Sequence, residues 1–218
     1  MSAIPDFVET AGYPLGLLPD GVFPGTEDDL KQRFVEAFPG SLTRATIFAG
    51  YLRLRNEVVG YGISATQWVD GSFVEAKLNP NDVDVVSFCD NQLVNGLSWA
   101  EREAIWSRLN GQERTIERYQ THGFLVVVYP LGHRYHVLFE RSRKYWRDWF
   151  GRARFHPDDP MVAETGVPKG FIELTLGDST KAPKVSHQRE KHRANSNSRF
   201  HRQPAITGTN PPTVGGSQ

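Results

Sequence analysis

The sequence predicts an α/β domain, of the α+β kind, in which a small mixed sheet carries flanking helices and a basic tail follows. Three observations lead there. Asp82 to Val86 and Phe171 to Leu176 alternate their side chains at period two, the repeat of a strand. Residues 41–59 space Leu42, Ala45, Phe48, Leu52, Val58 and Val59 as a helix does, leaving Arg44, Arg53 and Arg55 largely to the wet side. After Asp178 the chain turns to Lys, Arg, His, Ser, Asn, Pro and Gly, with too little apolar surface to offset the entropy of ordering.

These divide the chain into an N-terminal arm (1–24), a domain (25–178) and a tail expected to be disordered (179–218). At 218 residues and 39% hydrophobic content, one real core is within reach. The formal net charge of zero conceals an asymmetry: the tail holds seven Lys and Arg against Glu190 alone, so an acidic body of −6 wears a tail of +6. Such a tail has a sequence-independent, salt-sensitive attraction for RNA or DNA, or else serves to offset the body. The single cysteine, Cys89, excludes an intramolecular disulfide and a thiolate-built zinc site, and its place beside an apolar strand suits a buried small hydrophobe. No apolar run approaches a membrane span, and Met1 to Asp6 lacks a basic start and an apolar segment, so a cytoplasmic protein with no membrane partner is expected.

Taken in order, Met1 to Pro24 reads as an extended arm punctuated by Pro14, Pro19 and Pro24. Thr26 with Asp29 opens a helix that runs past Phe38 and stops at Pro39-Gly40. The helix over 41–59 ends at Gly60 and Gly62, and Ile63 to Val69 forms the first sheet strand. A second strand covers Val83 to Phe88, with Pro80-Asn81 turning into it. Ser98 and Glu101 make a capping box for a helix reaching Leu109, with Trp99, Ile105 and Trp106 toward the core, or with its tryptophans as a platform for a base. After a polar helix from Glu113 to Gln120, the apolar run Phe124 to Tyr129 predicts a central strand covered on both faces. Tyr145, Trp146, Trp149 and Phe150 share one helical face, and the arginines among them suit phosphates or a solvated surface. Residues 156–166 read as a loop, and Phe171 to Leu176 as a half-exposed edge strand.

The chemistry is concentrated between Trp68 and Phe88. Period-two alternation puts Asp82 and Asp84 on one face, where like charges repel unless water or a cation separates them. Hard divalent ions take carboxylate oxygens, and magnesium keeps waters while bridging to phosphates. Gly71 permits close backbone approach to a ligand and Ser72 adds a hydroxyl where a helix would begin, so metal plus phosphate is the joint reading.

Gly71-Ser72, the nine residues Phe73 to Asn81, and Asp82-Val83-Asp84 resemble the signature of the polymerase-beta-like nucleotidyltransferase superfamily. The fuller pattern, with Asp70, Lys77 and Pro80, is similar to a family of short bacterial nucleotidyltransferase-like proteins. Leu18 to Val22, Trp146 to Phe150 and Pro168 to Leu174 extend the likeness to about Leu18 through Leu176. The resemblance implies a nucleotidyltransferase-like fold and Mg2+-dependent transfer, on two ions, of a nucleotidyl group from an NTP to a hydroxyl of an RNA, DNA or protein acceptor. Gly71 and Ser72 would grip the triphosphate, and Asp82 and Asp84 would hold the ions and carry the catalysis. Lys169, in a shared segment, reads either as a phosphate contact or as a plain turn lysine.

One departure follows from the same resemblance. The third carboxylate of active members, counted back from Pro130, falls at Leu125, and no acid occurs from His122 to Val137. Asp70, Glu75, Asp90, Glu140 and His122 are the nearby substitutes, and His122 or His133 would serve as a base if it were not simply a surface histidine. The alternatives to an enzyme are thus a degenerate nucleotide- or nucleic-acid-binding relative and an interaction module of a toxin or defence system.

Overall fold

In a computed structural model of the chain, the structure describes residues 4–111, 113–154 and 166–176, all inside the first of two compact units, Met1–Pro183. The tail expected from Ser179 to Gln218, and all but the last residue of the loop expected over 156–166, lie outside those residues.

Five strands form the central sheet in the order β3-β9-β4-β5-β6, with β3 (Gly21–Pro24), β4 (Ala65–Asp70), β5 (Val83–Asp90), β6 (Thr121–Val128) and β9 (Gly170–Leu176). Pairing is antiparallel for β9-β4 and β4-β5, and parallel for β3-β9 and β5-β6, so the sheet is mixed as expected. Two small sheets flank it: β1 (Val8–Thr10) with β2 (Tyr13–Leu17), and β7 (Arg152–Ala153) with β8 (Val167–Pro168). The arm expected over 1–24 thus ends as a strand of the main sheet.

Helices cover both faces. On one, α2 (Arg44–Gly60) and the π-helical turn Gln32–Glu36 that follows α1 (Glu27–Lys31) bury Phe34, Ile47, Phe48 and Tyr51 against Val69, Val83, Val85, Ile172 and Leu174. Farther along that face, Leu54 and Val58 of α2 meet Ile105 of α4 (Trp99–Trp106), Tyr119 of α5 (Glu113–Tyr119) and Leu125 of β6. On the other, α6 (His136–Phe150) lays Trp146 and Phe150 on Trp68, Val86, Phe88, Val126 and Phe171. Both expected capping residues are in place, since Thr26 and Ser98 each accept from the amide three residues on and donate their own amide to that residue's carboxylate.

Three expectations are corrected. β6 is an edge strand, not the central one, because an apolar run on both faces signals helices above and below and carries no information about the hydrogen-bonding neighbours. β9 is paired on both sides, and not an edge, because the extended arm returns as β3 to cover it. Trp99 and Trp106 are 65% and 37% exposed, leaving Ile105 as the buried residue of α4. A short helix, α3 (Asn91–Gly96), was not expected; Asp90 caps it by accepting from the Gln92 and Leu93 amides.

Buried polar side chains tie α2 to the sheet and to the segment after Gly71. Arg44 and Arg55, expected on the wet side of the helix, are instead buried, because each finds acceptors there: the guanidinium of the completely buried Arg44 donates to the carbonyls of Phe34, Phe73, Glu75 and Lys77 while lying 3.8 Å over the Phe38 ring. This clamp fixes the path of residues 73–77, which the sequence alone leaves as a short helix or a loop. Nearby, Gln67 accepts from Tyr51 and Arg55 and donates to Ser87.

Candidate nucleotide and metal site

The face under α6 carries a row of polar residues across three strands. Register pairs Asp70 with Asp84 and Asp84 with His122, so the three stand side by side where β4 ends and β5 and β6 begin. Asp84 is 29% exposed at its side chain, and its Oδ1 lies 3.3 Å from His122 Nδ1. The other ring nitrogen, Nε2, is 2.8 Å from the Gly111 carbonyl, and Phe124 packs 4.5 Å from the ring centroid. The imidazole is therefore held from three sides. Its pKa is raised, chiefly by the hydrogen bond to Asp84 and against the effect of burial.

Asp82 is partly buried just before β5, and its carboxyl is raised by that burial and then by the charge of Asp84. The two acids thus feel each other as period-two spacing requires. Gly71 lets the turn pack directly against Asp84. Its φ of 82° and ψ of −171° belong to a region that glycine alone occupies without strain, and a Cβ there would collide with Asp84 Oδ2. Ser72, half-buried at the start of the 3-10 turn Ser72–Val74, has no hydrogen-bond partner for its hydroxyl among the described residues.

Beneath the turn lies a buried ion cluster. Lys169 Nζ donates to Glu75 Oε1 (2.7 Å) and, more weakly, to the Gly71 carbonyl (3.3 Å), and stands 3.0 Å from Asp70 Oδ1 as an ion pair without good hydrogen-bond alignment. Tyr13 donates to the second oxygen of Glu75 at 2.7 Å. Burial pushes the Asp70 carboxyl up to about 7 despite Lys169 and the Gly71 amide, whereas the two acids outweigh burial and raise Lys169. Lys169, with 3% of its side chain exposed, is therefore the counter-ion under the Gly71 turn; it does not face solvent as a phosphate contact would.

The residues considered as substitutes for a third acid separate cleanly. Glu75 and Asp70 are committed to Lys169, Asp90 caps α3 at the far end of β5, Glu140 is exposed on α6, and His133 stacks on Tyr129 beyond the end of β6. Of these only Asp70 and His122 stand beside Asp84, and Asp70 is paired with Lys169. Leu125 pairs with Ser87, three residues farther along, and packs on the α2 face, so the place beside Asp84 on β6 belongs to His122 instead. The aromatic face of α6 is divided: Trp146 and Phe150 are core, whereas Tyr145 and Trp149 stack at 18° on its flank. Arg154, which sequence reasoning left as one arginine among many, lies 3.7 Å over the Trp149 ring; burial lowers its pKa, against the charge of Asp70.

The family model described as a family of unknown function (DUF6932) matches residues 11–175, most of the chain and all of this site. The chain belongs to that family. No curated protein and no solved structure gives a significant match. Among the described residues no helix is long and apolar enough to cross a membrane.

Asp82 and Asp84 supply hard oxygen donors of the kind magnesium takes. No group of three or more His, Cys, Asp and Glu side chains converges as a ligand set among the described residues. The residues fit one divalent ion held by two carboxylates and completed by water or phosphate oxygens. They do not supply the third carboxylate on β6 that a pair of ions requires.

Proposed function

We propose that this chain is a nucleotidyltransferase-like protein that binds a nucleoside triphosphate together with Mg2+ at the Gly71–Ser72 turn and the Asp82–Asp84 pair. The observation that carries the reading is the contact between Gly71 and Asp84: a conformation open to glycine alone lets the turn lie directly against the acid. A scaffold needs neither feature. Two like-charged carboxylates, one of them raised by the other, are a cost that a bound cation repays.

In this reading Asp82 and Asp84 would hold the ion, whose charge would offset that of the triphosphate. Ser72 offers its unpartnered hydroxyl to a phosphate oxygen. The basic tail, at +6 by sequence, is the nucleic-acid arm. A second reading, transfer of the nucleotidyl group to a hydroxyl on RNA, DNA or protein, is favoured by the retention of Asp82 and Asp84 together with Gly71 and Ser72.

The test is calorimetric titration of each NTP with and without Mg2+, on the wild type and on Asp82→Asn with Asp84→Asn. Mg2+-dependent binding that weakens at least about tenfold in the double variant supports the proposal, that factor being about 1.4 kcal/mol. Equal binding by both proteins refutes it. Incubation with α-labelled NTP and cellular RNA or protein separates the two readings: label transferred by the wild type alone establishes the second.

A further inference from the structure

The expected machinery of two ions and three acids meets this structure with a mismatch on β6. We infer that His122 stands where a third acid would be and ligates nothing, so that the protein binds its nucleotide with a single divalent ion. The inference rests on the nucleotide-binding reading above and concerns what that site holds.

The oxygens can be counted around Asp84. Its Oδ1 faces His122 Nδ1 at 3.3 Å, and its Oδ2 lies against the bare Cα of Gly71. Its register partner on one side, Asp70, is paired with buried Lys169; its partner on the other is His122 itself. Glu75, the next acid, is taken by Lys169 and Tyr13. What remains for a cation is Asp82 and one oxygen of Asp84. Two ions clamping an attacking and a leaving oxygen need a carboxylate that bridges both and a further acid beside it.

The His122 ring cannot replace that acid as a ligand. Each nitrogen already faces an acceptor, Asp84 Oδ1 on one side and the Gly111 carbonyl on the other, so no lone pair is turned to the site. Magnesium moreover selects oxygen over imidazole nitrogen. The ring is also wedged by Phe124, which packs in turn on Trp146 of α6 at 4.4 Å, so reorienting it would disturb the core. The ion that is lost is the one that would activate an attacking hydroxyl; the ion that is kept is the one that travels with the triphosphate. The site is thus built to hold a nucleotide and only weakly to transfer it.

The deciding experiment counts Mn2+ by electron paramagnetic resonance in complexes saturated with an α,β-methylene nucleoside triphosphate, which cannot react. The wild type binds one Mn2+ per bound nucleotide, and His122→Asp, which restores a carboxylate opposite Asp84, binds two. His122→Asn, neutral and close to imidazole in reach, keeps one and guards against a misfolded aspartate variant. Two ions in the wild type, or one in a folded His122→Asp, overturns the inference while the nucleotide reading stands. A wild type that binds none of the α,β-methylene triphosphates refutes the nucleotide reading, and the inference with it.

Discussion

Replacing Lys169 by Met keeps most of the length of the side chain and removes its charge and its donors to Glu75 and Gly71. That charge sits with 3% of the side chain exposed between Asp70 and Glu75, themselves 7% and 6% exposed, so two buried carboxylates lose their cation together. Breaking one partner out of a buried ion cluster costs about 3–5 kcal/mol. For a domain of this size, where each kcal/mol moves Tm by about 2–4 °C, the expected fall is about 6–20 °C at pH 8. The pH dependence has a definite sign. In the wild type, Asp70 titrates near 7 when folded against 3.8 as its ordinary value, so the folded state holds more protons between those limits and stability declines as pH rises through that window. Lys169, raised above its ordinary 10.5, contributes fully below that value and is lost only as pH climbs through its folded pKa. Without Lys169 the Asp70 carboxyl rises further, and each additional unit steepens the loss at alkaline pH by about 1.4 kcal/mol. Urea unfolding followed through the buried Trp68 and Trp146 at pH 5 and pH 8 measures both effects. The variant should be closer to wild type at pH 5, where Asp70 is protonated and Lys169 keeps Glu75 as its remaining partner. A loss below about 1 kcal/mol at pH 8, well under the buried-pair range, or the same loss at both pH values, would refute the buried-cluster argument.

Other perturbations read different parts of the site. Gly71→Ala forces a Cβ into a glycine-only conformation and against Asp84, which should cost about 1–3 kcal/mol in urea unfolding and lower Mg2+-dependent nucleotide affinity in the same protein. Asp82→Asn should separate the two quantities, because removing a charge that Asp84 repels leaves Tm equal or higher while Mg2+-dependent binding by calorimetry falls. Arg44→Leu strands four buried carbonyls at about 1–3 kcal/mol each, so thermal unfolding should show a loss of at least about 4 kcal/mol, with Arg44→Lys recovering only part because an ammonium has three donors. Deleting Ser179 to Gln218 removes a net charge of +6 and should flatten the slope of log affinity for single-stranded RNA against log salt by about 4, measured by filter retention.

What the sequence made legible was local. Capping at Thr26 and Ser98, the helical spacing of 41–59, and the alternation of Val83 to Phe88 are each decided by residues within a few positions of one another, and the structure has them within one to three residues. The errors are of a different kind. Trp99 and Trp106, seven residues apart, share a helical face that lies about 100° round the helix from Ile105, and only the path of α2 and β6 determines that Ile105 is the side that is buried. Lys169 reads as a phosphate contact or a turn lysine until the fold carries Asp70 and Glu75, 99 and 94 residues earlier in the chain, around its ammonium.

The place of the third acid is the most instructive case, because counting back from Pro130 gave Leu125 and the ladder gives His122. A strand turns alternate residues to opposite faces, so an odd displacement moves a side chain from one side of the sheet to the other. Leu125 is three residues from His122, and that difference alone sends it to the α2 face with Ser87. Distance from a turn is therefore a poor guide to which residue meets Asp84. Register decides it, and register here is set by contacts remote in sequence: Val83 donating to the Gln120 carbonyl, and Gly111 receiving one end of the His122 ring while its own amide bonds to Gly123. A family pattern transferred by spacing puts an apolar wall beside the acid pair; the same chain read through its ladder puts an imidazole there, already bonded to one of the acids. The chemistry to be explained is that of a nitrogen base held against Asp84, and the metal count is the property in which that difference is largest.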